Sequence, residues 1–117
     1  MEAELRLELP YPPSVNHYWR RVGPGTLISR EGRRFRERVL ANLAAQGVRP
    51  LVGPLAVQVD LHPPDNRRRD IDNIAKALLD ALAHGGAYED DCQIVHLALD
   101  KQKPVDGGKT VVRIRNS

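Results

Sequence analysis

Hydrophobic residues in this chain switch between two periods, and the order of the switches restricts the folds open to it. Ala3, Leu5, Leu7 and Leu9 alternate with Glu4, Arg6 and Glu8, the two-residue repeat of a strand with one buried face. The repeat returns at 55–62, where Leu55, Val57, Val59 and Leu61 oppose Gln58, Asp60 and His62, and at 110–115, where Val112 and Ile114 oppose Arg113 and Arg115. Residues 93–101 read as a largely buried strand, with Val95, Leu97 and Leu99 facing one way and Ile94 and Ala98 the other. Two stretches instead repeat every three or four residues, as helices do. In the first, 30–46, Phe35, Val39 and Leu43 share a stripe, Ser29 is placed to cap and Gly47 to stop it. In the second, 71–84, Ile71, Ile74, Leu78 and Leu82 recur, with Asp70 as the expected N-cap and Gly85-Gly86 as the stop.

Pro10, Pro12 and Pro13 end the first strand, and the segment 11–28 that follows has no period, only a turn at Gly23, Pro24 and Gly25. A loop of that length in a small domain is commonly functional or mobile. The turn at 104–109 carries Asp106-Gly107 and predicts a hairpin joining the last two strands. Strand, loop, helix, strand, helix, strand, strand predicts an α+β fold. It is a single domain over residues 1–117 with one core, a four-stranded mixed sheet and two helices packed on it. The outward faces retain enough Leu, Val and Ile for a homodimer.

Composition narrows the partners. The formal net charge is +3, and 14 of the 18 basic residues are Arg, the side chain that grips phosphate through two parallel hydrogen bonds. A genome rich in arginine codons would give the same count, so location has to decide. Cys92 is the single cysteine, which excludes an internal disulfide and a multi-cysteine zinc site. No apolar run is long enough to span a membrane, and the opening MEAELRLELP alternates charge with Leu, so a cytoplasmic protein without membrane attachment is expected.

The chemistry concentrates between Asp65 and Asp91, which hold six of the nine aspartates. At helical spacing Asp72, Lys76 and Asp80 form a stripe opposite Ile74, Leu78 and Leu82, pointing away from the core. Two readings are open: Asp70 and Asp72 cap the helix and Lys76 makes a surface ion pair, or these groups are a site. Arg67, Arg68 and Arg69 stand directly before the aspartates, which solubility alone does not require. Asp90-Asp91 precede the third strand. If that strand lies beside 55–62 in a suitable orientation, Asp91 approaches Asp70 and Asp72. Three converging carboxylates call for a divalent cation, and hard oxygen donors suit Mg²⁺ or Mn²⁺. A calcium-binding EF-hand loop does not fit, because Ile74 and Ala75 fall at its fifth and sixth positions.

The pattern PPD-x-RRRDIDN-x-x-K-x-x-x-D, followed by DD-x-Q-x-V and Lys101, closely resembles the RusA family of Holliday-junction resolvases. The opening P-x-PP-x-x-N of Pro10, Pro12, Pro13 and Asn16 matches as well. The resemblance runs in order over nearly the whole chain. It implies a homodimeric, Mg²⁺-dependent endonuclease of DNA recombination and repair, with Mn²⁺ able to substitute, that binds four-way junctions and nicks two strands symmetrically. By position it makes Asp70, Asp72 and Asp91 the metal-binding carboxylates and Lys76 the catalytic cation.

Affinity for branched DNA should be shared among basic groups, since phosphate contacts carry no sequence information. Arg67, Arg68, Arg69 and Lys101 are candidates. In the first loop Tyr11, Asn16, His17, Tyr18, Trp19, Arg20 and Arg21 mix rings with cations, a composition suited to exposed bases at a branch point. The alternative is that Tyr18 and Trp19 fold the loop onto the core. Asn73 either hydrogen-bonds a ligand carboxylate or DNA or serves as a local cap, and Arg34 and Arg38 either extend the basic surface or solvate their helix. Two other functions stay open: a nuclease for flaps, forks or other branched DNA, and a junction-binding protein without catalysis.

Overall fold

The computed structural model describes residues 4–117, and Ala3 of the first predicted strand lies outside the described residues. Strand β1 (Glu4–Leu9) buries Leu7 and Leu9 and exposes Glu4, Arg6 and Glu8, as its alternation requires. A short helix α1 (Val15–Tyr18) and two strands, β2 (Trp19–Val22) and β3 (Gly25–Ile28), occupy the segment expected to be an aperiodic loop. β2 and β3 form an antiparallel ribbon in which Trp19 faces Ile28 and Val22 faces Gly25. The ribbon buries neither face, so nothing selected for alternation, and each element is too short to show a period.

Helix α2 (Arg30–Ala45) begins where expected: the Ser29 hydroxyl accepts the Gly32 N–H at 2.9 Å, and Phe35, Val39 and Leu43 are its buried stripe. Strand β4 (Leu55–His62) follows, then helix α3 (Asp72–Gly85), which buries Ile74, Leu78 and Leu82 and ends at Gly86 in the left-handed region at φ 93°. A 3₁₀ turn (Asp91–Gln93) leads into β5 (Ile94–Lys101), and β6 (Lys109–Asn116) closes the chain.

The four-stranded sheet has the order β1-β6-β4-β5, mixed as expected, with β4 parallel to β5 and antiparallel to β6. Two expectations change. β5 and β6 are not a hairpin. Residues 102–108 cross the end of β4, with Val105 N–H donating to the Pro63 carbonyl, and β6 enters between β1 and β4. β6 buries Thr110, Val111, Val112 and Ile114 and so belongs inside the sheet. Nor is β5 a buried strand: it lies at the edge, and Val95 and Leu97 are 62% and 39% exposed. Its apolar run matches a strand covered on both faces, and the sequence carries no mark of which strand is left outermost.

One core joins Leu7 and Leu9 of β1, Val39 of α2, Val59 of β4, Leu78 of α3 and Val112 of β6. Among the described residues no helix is long and apolar enough to cross a membrane. Gly32 is where packing is tightest, since a Cβ there would stand 2.5 Å from the Tyr18 carbonyl oxygen and 2.8 Å from Ile28 Cγ1. Gly32→Ala would gain about 1 kcal/mol of helix propensity, yet the clash is with backbone and outweighs that gain. A net loss of about 2 kcal/mol is expected, seen in thermal unfolding as a Tm lowered by about 10 °C. An unchanged or raised Tm would refute the close packing of α2 on α1.

Candidate nucleic-acid interface and active site

The turn before α3 gives three consecutive arginines different surroundings. The Asp65 carboxylate accepts the Arg69 guanidinium at 2.7 Å and the Arg67 backbone N–H at 3.0 Å, and these bonds, the first above all, hold it below the usual carboxylate range. Arg69 also lies 5.8 Å over the Tyr11 ring, and its carbonyl accepts the Lys101 ammonium at 2.7 Å. Its side chain is therefore only 21% exposed, against 83% for Arg67. Arg67 and Arg68 remain turned to solvent, as a phosphate-binding group must be, while Arg69 and Lys101 brace the turn.

The helix that follows does not start as the sequence suggested. Asp70 is not a side-chain N-cap: Ile71 occupies that position in helical conformation and no side chain caps the end. Winding begins instead through the backbone, with Asn73 N–H bonded to the Asp70 carbonyl and Ala75 N–H to the Ile71 carbonyl, each at 3.2 Å. Asp70 and Asp72 are exposed, and among the described residues neither carboxylate makes a hydrogen bond or an ion pair. Capping thus does not account for them. The Asn73 side chain makes no cap bond either; it faces the cleft described next. Lys76, one turn beyond Asp72, is exposed and among the described residues has no carboxylate within ion-pair distance.

Asp80 departs from the outward stripe. It turns toward α2, where Arg36 Nη2 meets its carboxylate at 2.7 Å and the Tyr18 hydroxyl donates to the same oxygen. Arg36 Nε in turn donates to the Tyr18 oxygen at 2.7 Å. Tyr18 is fully buried, so its assignment as a DNA-binding ring is corrected: it packs into the core with Trp19 edge-on at 5.0 Å, and burial raises its pKa. The sequence drew attention to Arg34 and Arg38 and missed Arg36, whose partner lies on another helix. The only signal was an aspartate on a helix flank that needed a cation.

An open cleft of about 490 Å³ lies between the segment 11–17 and the start of α3. Tyr11, Asn16 and His17 line one wall, and Arg67, Arg68, Asp70 and Asn73 line the other. Ser14 Oγ lies 3.0 Å from His17 Nδ1 and fixes that ring at the rim. Arg20 and Arg21 are exposed on the β2–β3 ribbon and do not line this cleft.

Asp91 lies elsewhere. β4 and β5 are neighbours, but parallel, so the start of β5 sits beside Leu55 at the beginning of β4 while the turn carrying Asp70 follows its end. Helix α3, about 21 Å long at 1.5 Å per residue, runs between them. Asp91 is near Tyr88, whose hydroxyl donates to the Leu79 carbonyl midway along α3 and whose pKa is raised by burial and by Asp91, Asp80 and Asp90. Asp90 caps the 3₁₀ turn by accepting the Cys92 N–H, so it serves local structure. Cys92 is in that turn, not in a strand. Among the described residues no three His, Cys, Asp or Glu side chains are gathered to hold a metal ion.

Residues 10–115 match the family described as "Endodeoxyribonuclease RusA". The chain is 40% identical to "Crossover junction endodeoxyribonuclease rusA" of Enterobacteria phage HK97, over 95% of this chain and 93% of that protein. It is 37% identical to the protein of that name from Enterobacteria phage 82, over 92% of this chain and 91% of the relative. A Shigella sonnei protein named "Crossover junction endodeoxyribonuclease RusA" is 37% identical with the same coverage.

The Asp80 contacts and the Arg67 surface should separate in stability measurements. Asp80→Ala leaves a half-buried guanidinium and a buried hydroxyl without their acceptor and is expected to cost about 2–3 kcal/mol in urea unfolding. Arg67→Ala removes an exposed cation and should stay within about 0.5 kcal/mol of the parent. Equal effects would mean that Asp80 is not a structural tie.

Proposed function

The chain belongs to the RusA family of endodeoxyribonucleases, and from that premise we propose that it cuts four-way DNA junctions, hydrolysing a phosphodiester in each of two strands. The observation that carries this reading is the cleft in which the exposed Arg67 and Arg68 meet an Asp70 carboxylate committed to no structural bond. Arg67, although its Nε lies 3.6 Å from Asp65, keeps 83% of its side chain in solvent and can grip phosphate, and an unoccupied carboxylate beside such cations is free to take a metal ion.

The DNA backbone enters the cleft on Arg67 and Arg68, with Asn16 and Asn73 as hydrogen-bonding groups on either wall. Attack on phosphorus adds negative charge to the phosphate oxygens and then to the departing 3′ oxygen. Lys76 is one helical turn from Asp72, and its ammonium, paired with no acid among the described residues, stabilises that charge or delivers a proton to the leaving group. Asp70 and Asp72 offer the hard oxygen donors that Mg²⁺ takes, with Mn²⁺ as substitute, and such an ion supplies a water of lowered pKa. Asp91 is proposed as the third metal-binding carboxylate on family resemblance alone, since it stands apart from the other two within one chain.

A junction presents two equivalent phosphates, and a two-fold dimer matches them. The proposal therefore includes a homodimer, for which sedimentation should give twice the 13.1 kDa of one chain.

Asp72→Asn is expected to lower Mg²⁺-dependent nicking of a fixed four-way junction at least about 100-fold. Junction binding in chelator should persist, and stability should shift by less than about 1 kcal/mol. Unfolding, or normal cutting, would remove Asp72 from the chemistry. Lys76→Ala should separate binding from cutting in the same way, with a loss of about 100- to 1000-fold in rate. Near-normal rates in Mg²⁺ would exclude Lys76. Flaps and forks cut as fast as the four-way junction would shift the substrate to branched DNA in general.

A further inference from the structure

Tyr11 and Pro12 wall the cleft on one side, and the same two residues wall a second open groove of about 310 Å³ on the other. Its far side is α2, through Arg34 and Arg38. Both arginines are exposed, and among the described residues neither has an ion-pair partner; Glu31, also exposed, is the acid in the lining. The segment 10–13 is thus a ridge with cations on both flanks: Arg67 and Arg68 in one groove, Arg34 and Arg38 in the other.

The ridge is stiff. Pro10, Pro12 and Pro13 fix their own backbone angles. Tyr11 is held by packing: its hydroxyl is buried, Arg69 lies over its ring, and a Cβ on Gly108 would stand 2.9 Å from Tyr11 Cβ. The separation between the grooves is therefore set by the fold and does not depend on a mobile loop.

We propose that the Arg34–Arg38 groove binds the phosphate backbone of a second DNA arm while the first arm lies in the Arg67–Arg68 cleft. This rests on the reading of the chain as a junction nuclease. A linear duplex also has two backbones, but they follow one axis a groove's width apart, whereas a branched molecule sends two duplexes away from one point in different directions, and two basic grooves divided by a rigid ridge match that divergence. Arg34 and Arg38 are one helical turn apart, a rise of about 6 Å. Phosphates of one strand recur at about 3.4 Å of duplex axis, so each guanidinium can meet a phosphate of its own. Arginines that merely solvated α2 would have no reason to favour branched over linear DNA.

The test compares the full-length protein with an Arg34→Ala/Arg38→Ala double variant in chelator, so that nothing is cut. Binding is measured across a potassium chloride series to a fixed four-way junction and to a linear duplex of one arm's length. For the junction, the slope of log K against log salt should become shallower by about 2, close to 0.9 for each phosphate that the variant leaves unneutralised. Affinity for the linear duplex should stay within twofold of the parent's, with Tm unchanged. Arg34→Lys/Arg38→Lys should restore the slope, since a point charge releases the same counterions. Unchanged junction binding, or equal losses on both DNAs, would overturn the second-arm groove. Arg67→Ala should weaken both DNAs and serves as the contrast. If the parent itself shows no preference for the junction, the nuclease reading fails with it, and that outcome is visible before any Arg34 or Arg38 variant is measured.

Discussion

The Asp80 carboxylate reaches from the middle of α3 to Arg36 on α2 and to the Tyr18 hydroxyl at the end of α1, so a single acid ties together three helices. A guanidinium and a carboxylate this far out of water are tolerated only as partners. Their pairing fixes where α1 can sit, because Tyr18 is fully buried and Gly32 admits its carbonyl against α2. α1 also carries Asn16 and His17, and α3 begins at Asp72. The two walls of the cleft are thereby referred to one internal contact, and the hydrophobic stripes of α2 and α3 alone would not have set that relation.

Charge is handled differently on the two sides of this contact. Where an aspartate supports the fold it is occupied: Asp65 by Arg67 and Arg69, Asp80 by Arg36, Asp90 by Cys92. Asp70 and Asp72 are exposed and make no such bonds among the described residues. These aspartates thus sort by whether a partner occupies their oxygens. Arginine sorts the same way, with Arg36 and Arg69 turned inward and Arg67 and Arg68 outward.

Much of this was readable from the residues, and the failures have identifiable causes. β4 was given to the residue by its alternation, and Ser29 marked the start of α2, because burial of one face and a capping hydroxyl act locally. The β2–β3 ribbon left no trace, since a ribbon exposed on both faces places no periodic demand on its sequence. Asp106-Gly107 signalled a turn correctly, but a turn does not say whether the strands it separates pair, and β6 found better cover between β1 and β4. Tyr18 looked like a surface ring because its neighbours are polar; the acid that takes its hydroxyl is far along the chain. Clustering of Arg67, Arg68, Asp70 and Asn73 followed from adjacency, whereas the placement of Asp91 turned on parallel pairing, which no local pattern encodes.

The position of β6 also governs how the domain can be assembled. As the C-terminal strand of the described chain it inserts between the strand nearest the N-terminus and one from the middle. During synthesis β4 can pair on one edge with β5, the next strand in sequence, while its other edge and the edge of β1 wait open. The last step, joining β1 to the β4–β5 pair, is a late, long-range event that waits for β6 to fill the gap.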